Sequence, residues 1–144
     1  MLRDLKVMRQ ILIDRLRRDF PLFEEHHEVD VDWSTDRRQI SISYDTSHPL
    51  MGDVYYESTR FYLHIIGDVS YSSWLEIEPK HRGKGHGKTL YKIWEDFSRD
   101  CGCQKLHGTP TGHVRGKSKL EYLESLGFHK VEEGDLIVAE KLLT

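Results

Sequence analysis

At 144 residues, with 38% apolar and 31% charged side chains, the chain has enough material for one hydrophobic core and too little for two. A formal net charge of −3 removes any global attraction to nucleic acid or anionic membrane, and the apolar share argues against a disordered chain. No apolar run approaches the ~20 residues of a membrane helix, and Met1-Leu2-Arg3-Asp4 does not open a secretory leader, so the expectation is one cytoplasmic domain over residues 1–144.

In chain order, Leu5, Met8, Leu12 and Leu16 recur at spacings of three and four, which predicts an amphipathic helix over residues 3–18 that Pro21 bars from continuing. Residues 24–36 form an acidic run, read first as a solvated face. Val29, Val31 and Trp33 then alternate with acids, and Ile40, Ile42 and Tyr44 with serines, around the turn-like Ser34-Thr35-Asp36-Arg37. A hairpin is expected there. Further strands are expected over 54–57, 60–66 and 71–78, the last ended by Pro79. The pattern then changes. Leu90, Ile93, Trp94 and Phe97 mark a helix stopping near Gly102, followed by a short strand over 103–107. A helix over 117–126 ends at Gly127, and strands 128–132 and 136–141 close the chain around Glu133-Gly134-Asp135. The sum is an α+β fold: helix, antiparallel meander, then strand, helix, strand, helix and hairpin.

Cys101 and Cys103 stand one residue apart, a spacing that suits neither a disulfide framework nor a four-ligand zinc site. His26 and His27 are adjacent, which in regular structure turns the rings away from each other. The expectation is no metal.

The informative stretch is Leu75-Glu76-Ile77-Glu78-Pro79-Lys80-His81-Arg82-Gly83-Lys84-Gly85-His86-Gly87-Lys88. A strand runs into a turn with three alternate glycines, and the turn opens a helix. Amides in the first turn of a helix have no partner within it, and the helix dipole leaves that end partly positive. A phosphate placed there finds donors and a favourable field together. Glycine lets the backbone approach a ligand closely and allows positive φ. Lys80, Arg82, Lys84, Lys88 and Lys92 gather positive charge at this point of an otherwise acidic chain.

These residues resemble the GNAT superfamily of acyl-CoA N-acyltransferases, whose motif Arg/Gln-x-x-Gly-x-Gly/Ala is matched by Arg82, Gly85 and Gly87. A second resemblance is Tyr122-Leu123-Glu124-Ser125-Leu126-Gly127-Phe128, similar to the family's helix ending in Leu-Gly-Phe. The resemblance covers residues from about 70 to 142. It implies a central, mostly antiparallel twisted sheet with splayed middle strands, flanked by helices, and acetyl-CoA as co-substrate. By the same resemblance, Arg82, Gly83, Lys84, Gly85, His86, Gly87 and Lys88 hold the pyrophosphate. The pantetheine arm pairs with main chain near Leu75 and Ile77. The acyl group passes directly to a primary amine of unidentified acceptor, a small molecule or a protein lysine or N-terminus.

Two proton transfers then need carriers. The resemblance makes Glu76 the candidate base and a tyrosine the candidate acid. Leu123 occupies the family's usual tyrosine position, and Tyr122 stands one residue earlier, about 100° around a helix. Tyr122, another group such as His113, and no acid at all are the open alternatives. Lys117, Lys119 and Arg115 serve either the cofactor's phosphates or a nucleic acid, and no aromatic platform accompanies them, so no nucleic-acid partner is expected. A homodimer is compatible with all of this. The competing reading is a non-catalytic CoA-binding or protein-interaction module on the same fold. A nucleotide P-loop fails on spacing, because residue 82 would have to be glycine.

Overall fold

A computed structural model describes residues 4–47, 58–110, 113–114 and 117–143; the strand expected over 54–57 lies outside the described residues. Helix α1 (Leu5–Asp19) starts where the Asp4 carboxylate accepts from the N–H groups of Lys6 and Val7, at 3.0 and 3.2 Å. It stops at Phe20, ahead of Pro21, and buries Met8, Leu12, Ile13 and Leu16. The hairpin follows as β1 (Glu28–Trp33) and β2 (Ile40–Asp45), paired antiparallel with Val31 opposite Ile42. The turn between them holds Arg37 at a positive φ of 57°.

Strands β3 (Arg60–Ile66) and β4 (Val69–Glu76) continue the meander. The expected strand 71–78 is therefore displaced by two residues. Beyond Glu76 the chain has left the ladder, and the Glu78 N–H donates to the Thr59 hydroxyl at 3.0 Å. A single 3-10 turn (Pro79–His81) leads to α2 (His86–Asp100), then come β5 (Lys105–Gly108), the short pair β6 (His113–Val114) and β7 (Lys117–Ser118), and α3 (Lys119–Ser125). Strands β8 (His129–Glu133) and β9 (Leu136–Leu142) close the chain. Ser118 caps α3 by accepting from the Glu121 N–H at 3.1 Å, which moves the start of that helix to residue 119.

Seven strands make one sheet in the order β1-β2-β3-β4-β5-β9-β8. All neighbours are antiparallel except β4 and β5. That parallel pair needs a crossover, and α2 supplies it. The register assigns the faces. Ile65, Ser70 and Leu106 share a level, and buried Ser70 accepts from Trp94 Nε1 of α2 at 2.8 Å and from the Ser98 hydroxyl at 2.9 Å. This is the helix face. Leu90, Ile93, Trp94 and Phe97 of α2 are buried against it, each worth about 1.5–3 kcal/mol relative to exposure. The opposite face carries His64, Tyr71, His107 and Glu140 at one level, and among the described residues no helix lies over it.

The β4–β5 pairing ends at Ser72 opposite Gly108, while β4 stays paired with β3 as far as Glu76. Just past that last pair the β3–β4 register slips. Tyr62 faces Trp74 and Leu63 faces Ser72, so Ser73 is an extra residue, a bulge that bends its strand. From Ser73 to Glu76 the edge of β4 towards β5 has no strand partner among the described residues.

Candidate active site

The glycine turn, the end of β4, the first turns of α2 and the start of α3 enclose a cavity of about 600 Å3. Gly83 and Gly85 sit at φ of 82° and 84°, a left-handed conformation that strains any residue bearing a Cβ. Gly85 is the N-cap of α2 and has no side chain to fold back over the helix end. The first bond of the helix runs from the Thr89 N–H to the Gly85 carbonyl at 3.2 Å, which leaves the amides of His86, Gly87 and Lys88 without an acceptor in their own helix. A Cβ on Gly87 would stand 3.8 Å from the Tyr122 hydroxyl and 3.9 Å from Ile77 Cγ1, so the missing side chain leaves that part of the cavity open.

The cavity wall contains Leu75, Glu76, Ile77, Arg82, Gly83 and Gly85 of the expected residues, and His86, Gly87, Lys88 and Tyr122 as well. Lys84 does not line it. The two neighbours on α3 point in different directions. Leu123 is fully buried, at 3.3 Å from the position of a Cβ on Gly108, whereas Tyr122 faces the cavity with its ring edge-on to Tyr91 at 5.7 Å. His113 has its backbone in β6, but its side chain, like Arg115, lies outside what the structure describes.

Glu76 and Arg82 form a linked pair. One oxygen of Glu76 accepts from Arg82 Nη2 at 3.2 Å and the other from the Trp74 indole at 3.1 Å. Arg82 Nε donates to the Ile77 carbonyl at 2.8 Å. The guanidinium is therefore folded back on the end of β4, with two of its nitrogens engaged by protein. The Ile77 carbonyl already carries one bond. The His86 ring packs edge-on against Phe20 at 6.0 Å and lies 6.3 Å from His81. Its main chain, more than its ring, is offered to the turn.

Three lining residues were not expected at the cavity in these positions. Tyr91 lies four residues after Gly87, hence on the same side of α2, and burial pushes its hydroxyl pKa well above the usual value, with Tyr122 adding to the effect. His81 enters from the 3-10 turn. Lys119, noted in the sequence only as one of several nearby cations, is the first residue of α3, and burial alone lowers its pKa from the ordinary lysine value. A half-buried cation, free helix amides and a volume cleared of side chains fit a diphosphate. The unpaired edge of β4 fits an amide-bearing chain continuing from it. Beside this cavity, Glu95 of α2 is buried among cations, 2.6 Å from Lys141 and 3.1 Å from Lys92.

One sequence expectation about metal ligands needs correction. The rings of His26 and His27 do not diverge; their centroids are 4.6 Å apart, because residues 24–27 lie in an irregular turn between α1 and β1. No described helix is long and apolar enough to cross a membrane.

Known structures share this architecture. A candidate acetyltransferase from Agrobacterium tumefaciens superposes with a TM-score of 0.51 at 17% identity, covering 99% of this chain and 95% of the other. A candidate acyl-CoA N-acyltransferase from Klebsiella pneumoniae gives a TM-score of 0.50 at 16% identity, over 94% and 88%. The PaiA N-acetyltransferase of Thermoplasma acidophilum, solved in complex with coenzyme A, gives a TM-score of 0.50 at 16% identity, over 75% of this chain and 63% of that one. At such identities the likeness is one of fold. No curated protein matches the sequence. The acetyltransferase (GNAT) family model, however, matches residues 11–128, from the middle of α1 through β1 to β5, α2 and α3, and the chain belongs to that family.

Proposed function

We propose that this protein transfers an acetyl group from acetyl-CoA directly to a primary amine. The observation that carries the reading is the continuity of the cavity, from the uncapped amides of α2 to the unpaired edge of β4 at Leu75. When bound, acetyl-CoA supplies an activated acyl group as its thioester. The amides of His86, Gly87 and Lys88, with the charges of Lys88 and Lys119, hold the diphosphate. The main chain of Leu75 and Ile77 aligns the pantetheine, and a β4 amide offers a hydrogen bond to the carbonyl oxygen as negative charge develops there.

Glu76 takes the proton an alkylammonium acceptor must lose, directly or through one water. It sits opposite Arg60 on the side of the sheet that no described helix covers, so the acceptor approaches from that side while the cofactor lies towards α2. Tyr122 returns a proton to the departing sulfur. The acidic residues Asp30 and Asp32 are exposed on β1, three strands from β4, and so about 14 Å from it at the usual strand spacing. A simple amine at Glu76 does not touch them; only an acceptor with a second, distant cation does.

A second reading, binding without turnover, has one observation in its favour: both oxygens of Glu76 are already engaged by Arg82 and Trp74. Two measurements separate the readings. Acetyl-CoA and CoA, but not ATP or NAD, should raise the melting temperature. Thiol release from acetyl-CoA in the presence of an amine panel should then be fast in the wild type. Glu76→Gln should lower kcat by roughly 100-fold or more while KM for acetyl-CoA changes little, and a weakly basic amine, which needs no deprotonation, should recover most of the loss. A ligand-induced shift with no thiol release from any amine would favour the binding module; no shift at all would remove both readings.

A further inference from the structure

We propose that Glu24, His26 and His27 form a three-ligand site for a divalent transition-metal cation of the zinc class, separate from the acyl-transfer cavity. Glu24 Oε2 lies 3.6 Å from His26 Nδ1 and 3.6 Å from His27 Nε2, and all three ligand atoms fall within 4.8 Å of one another. Ligands bound at zinc's usual bond lengths in a tetrahedron stand about 3.3 Å apart, so two edges are nearly preset and the third closes by a rotation of the exposed His26 ring. Two imidazoles and a carboxylate, with the fourth position facing solvent beside the exposed Glu24, suit zinc or its neighbours rather than calcium or magnesium, which prefer oxygen.

The surroundings of His27 fit a metal ligand. Its side chain is only 5% exposed, and its far nitrogen, Nδ1, lies 2.8 Å from the Tyr44 hydroxyl. In the metal-free protein the Glu24 N–H donates to that same Nδ1 at 3.1 Å, so the ring's proton sits on Nε2. Metal binding at Nε2 shifts this proton to Nδ1, where the Tyr44 oxygen accepts it. No proton leaves the neutral ring, and the exposed Glu24 amide turns to water. A hydrogen bond from the far nitrogen is how ligating imidazoles are commonly oriented.

The site also has a route to the rest of the fold. Tyr44 is edge-on to Phe20 at 6.0 Å, and Phe20 is edge-on to His86 in the glycine turn. A cation here fixes the turn between α1 and β1 next to that aromatic column.

The test uses untagged full-length protein and zinc chloride, by isothermal titration calorimetry and thermal denaturation. One equivalent should bind, and at about 100 times the dissociation constant the melting temperature should rise by roughly 5–10 °C. His26→Ala and Glu24→Gln alter exposed side chains and leave the apo fold intact; each should weaken binding at least tenfold. His129→Ala, near the separate His107–Glu140 pair, should leave it unchanged. Absence of one-equivalent binding, or binding that survives both His26→Ala and Glu24→Gln, overturns the proposal. Neither outcome depends on acyl transfer.

Discussion

The same substitution two residues apart in the glycine turn should have opposite effects. Gly85 holds φ at +84° with no atom within 4 Å of a Cβ placed on it, so Gly85→Ala meets no clash and pays only for its backbone conformation. That strain is about 1–2 kcal/mol, less about 0.4–1 kcal/mol gained because alanine loosens the unfolded chain less than glycine. Gly87 is the second residue of α2, and its Cβ would make ordinary contacts at 3.8 and 3.9 Å. Gly87→Ala therefore gains helix propensity, up to about 1 kcal/mol. The two variants should differ by roughly 1–2 kcal/mol, or about 3–8 °C in melting temperature, with Gly85→Ala the lower. Thermal denaturation of the ligand-free proteins reads this directly. Equal stabilities, or a more stable Gly85→Ala, would refute the assigned turn geometry. A third variant adds the ligand: Gly85→Asp brings a carboxylate to the helix N-terminus and should abolish the stabilisation by coenzyme A, while Gly87→Ala keeps it.

Tyr122→Phe should lower kcat by roughly 10–100-fold with CoA binding retained, as steady-state kinetics and a CoA thermal shift together would report; an unchanged kcat would leave Tyr122 as packing against Tyr91. Lys119 has a lowered pKa in the free protein, and a bound phosphate raises it again, so CoA affinity should fall as pH rises from the lowered value towards the ordinary lysine range; Lys119→Met should flatten that dependence in titrations across alkaline pH. Burial works against the ionised Glu95, but bonds to Lys141 and Lys92 outweigh it and hold its pKa below normal. Its contribution to stability is therefore present above the unfolded carboxylate pKa and lost as pH falls through the folded value. Glu95→Gln should cost about 1–3 kcal/mol at neutral pH and less in acid, measured by urea denaturation at both.

The glycine turn was legible as a turn between a strand and a helix, where Gly83 and Gly85 hold the positive φ that glycine adopts without strain. The order of elements was legible from periodicity, since α1, the β1–β2 hairpin and α2 each bury one face. Boundaries moved where a tertiary bond intervened: Thr59 draws Glu78 off β4, and Ser118 caps α3 two residues later than the apolar pattern implied. Tyr91 was hidden because an aromatic residue on an apolar helix face reads as core, and it is in fact both buried and at the cavity wall. The Glu76–Arg82 pair joins side chains six residues apart across a 3-10 turn, a spacing with no rule in regular structure. The proximity of His26 and His27 was misread for the same reason: alternation rules hold in strands and not in the turn where these residues sit.

The bulge at Ser73 gives the fold an unusual economy. One surplus residue in β4, immediately after the last rung shared with β5, separates a continuous sheet from one with a slot in its middle. Loss of a single codon there would let Trp74 follow Ser72 directly opposite Tyr62, so that each later side chain would keep its partner and its face while the bend in the strand would go. The opening through which the two substrates would meet is thus written as a count of residues rather than as their chemistry, and it would survive extensive change in the side chains around it.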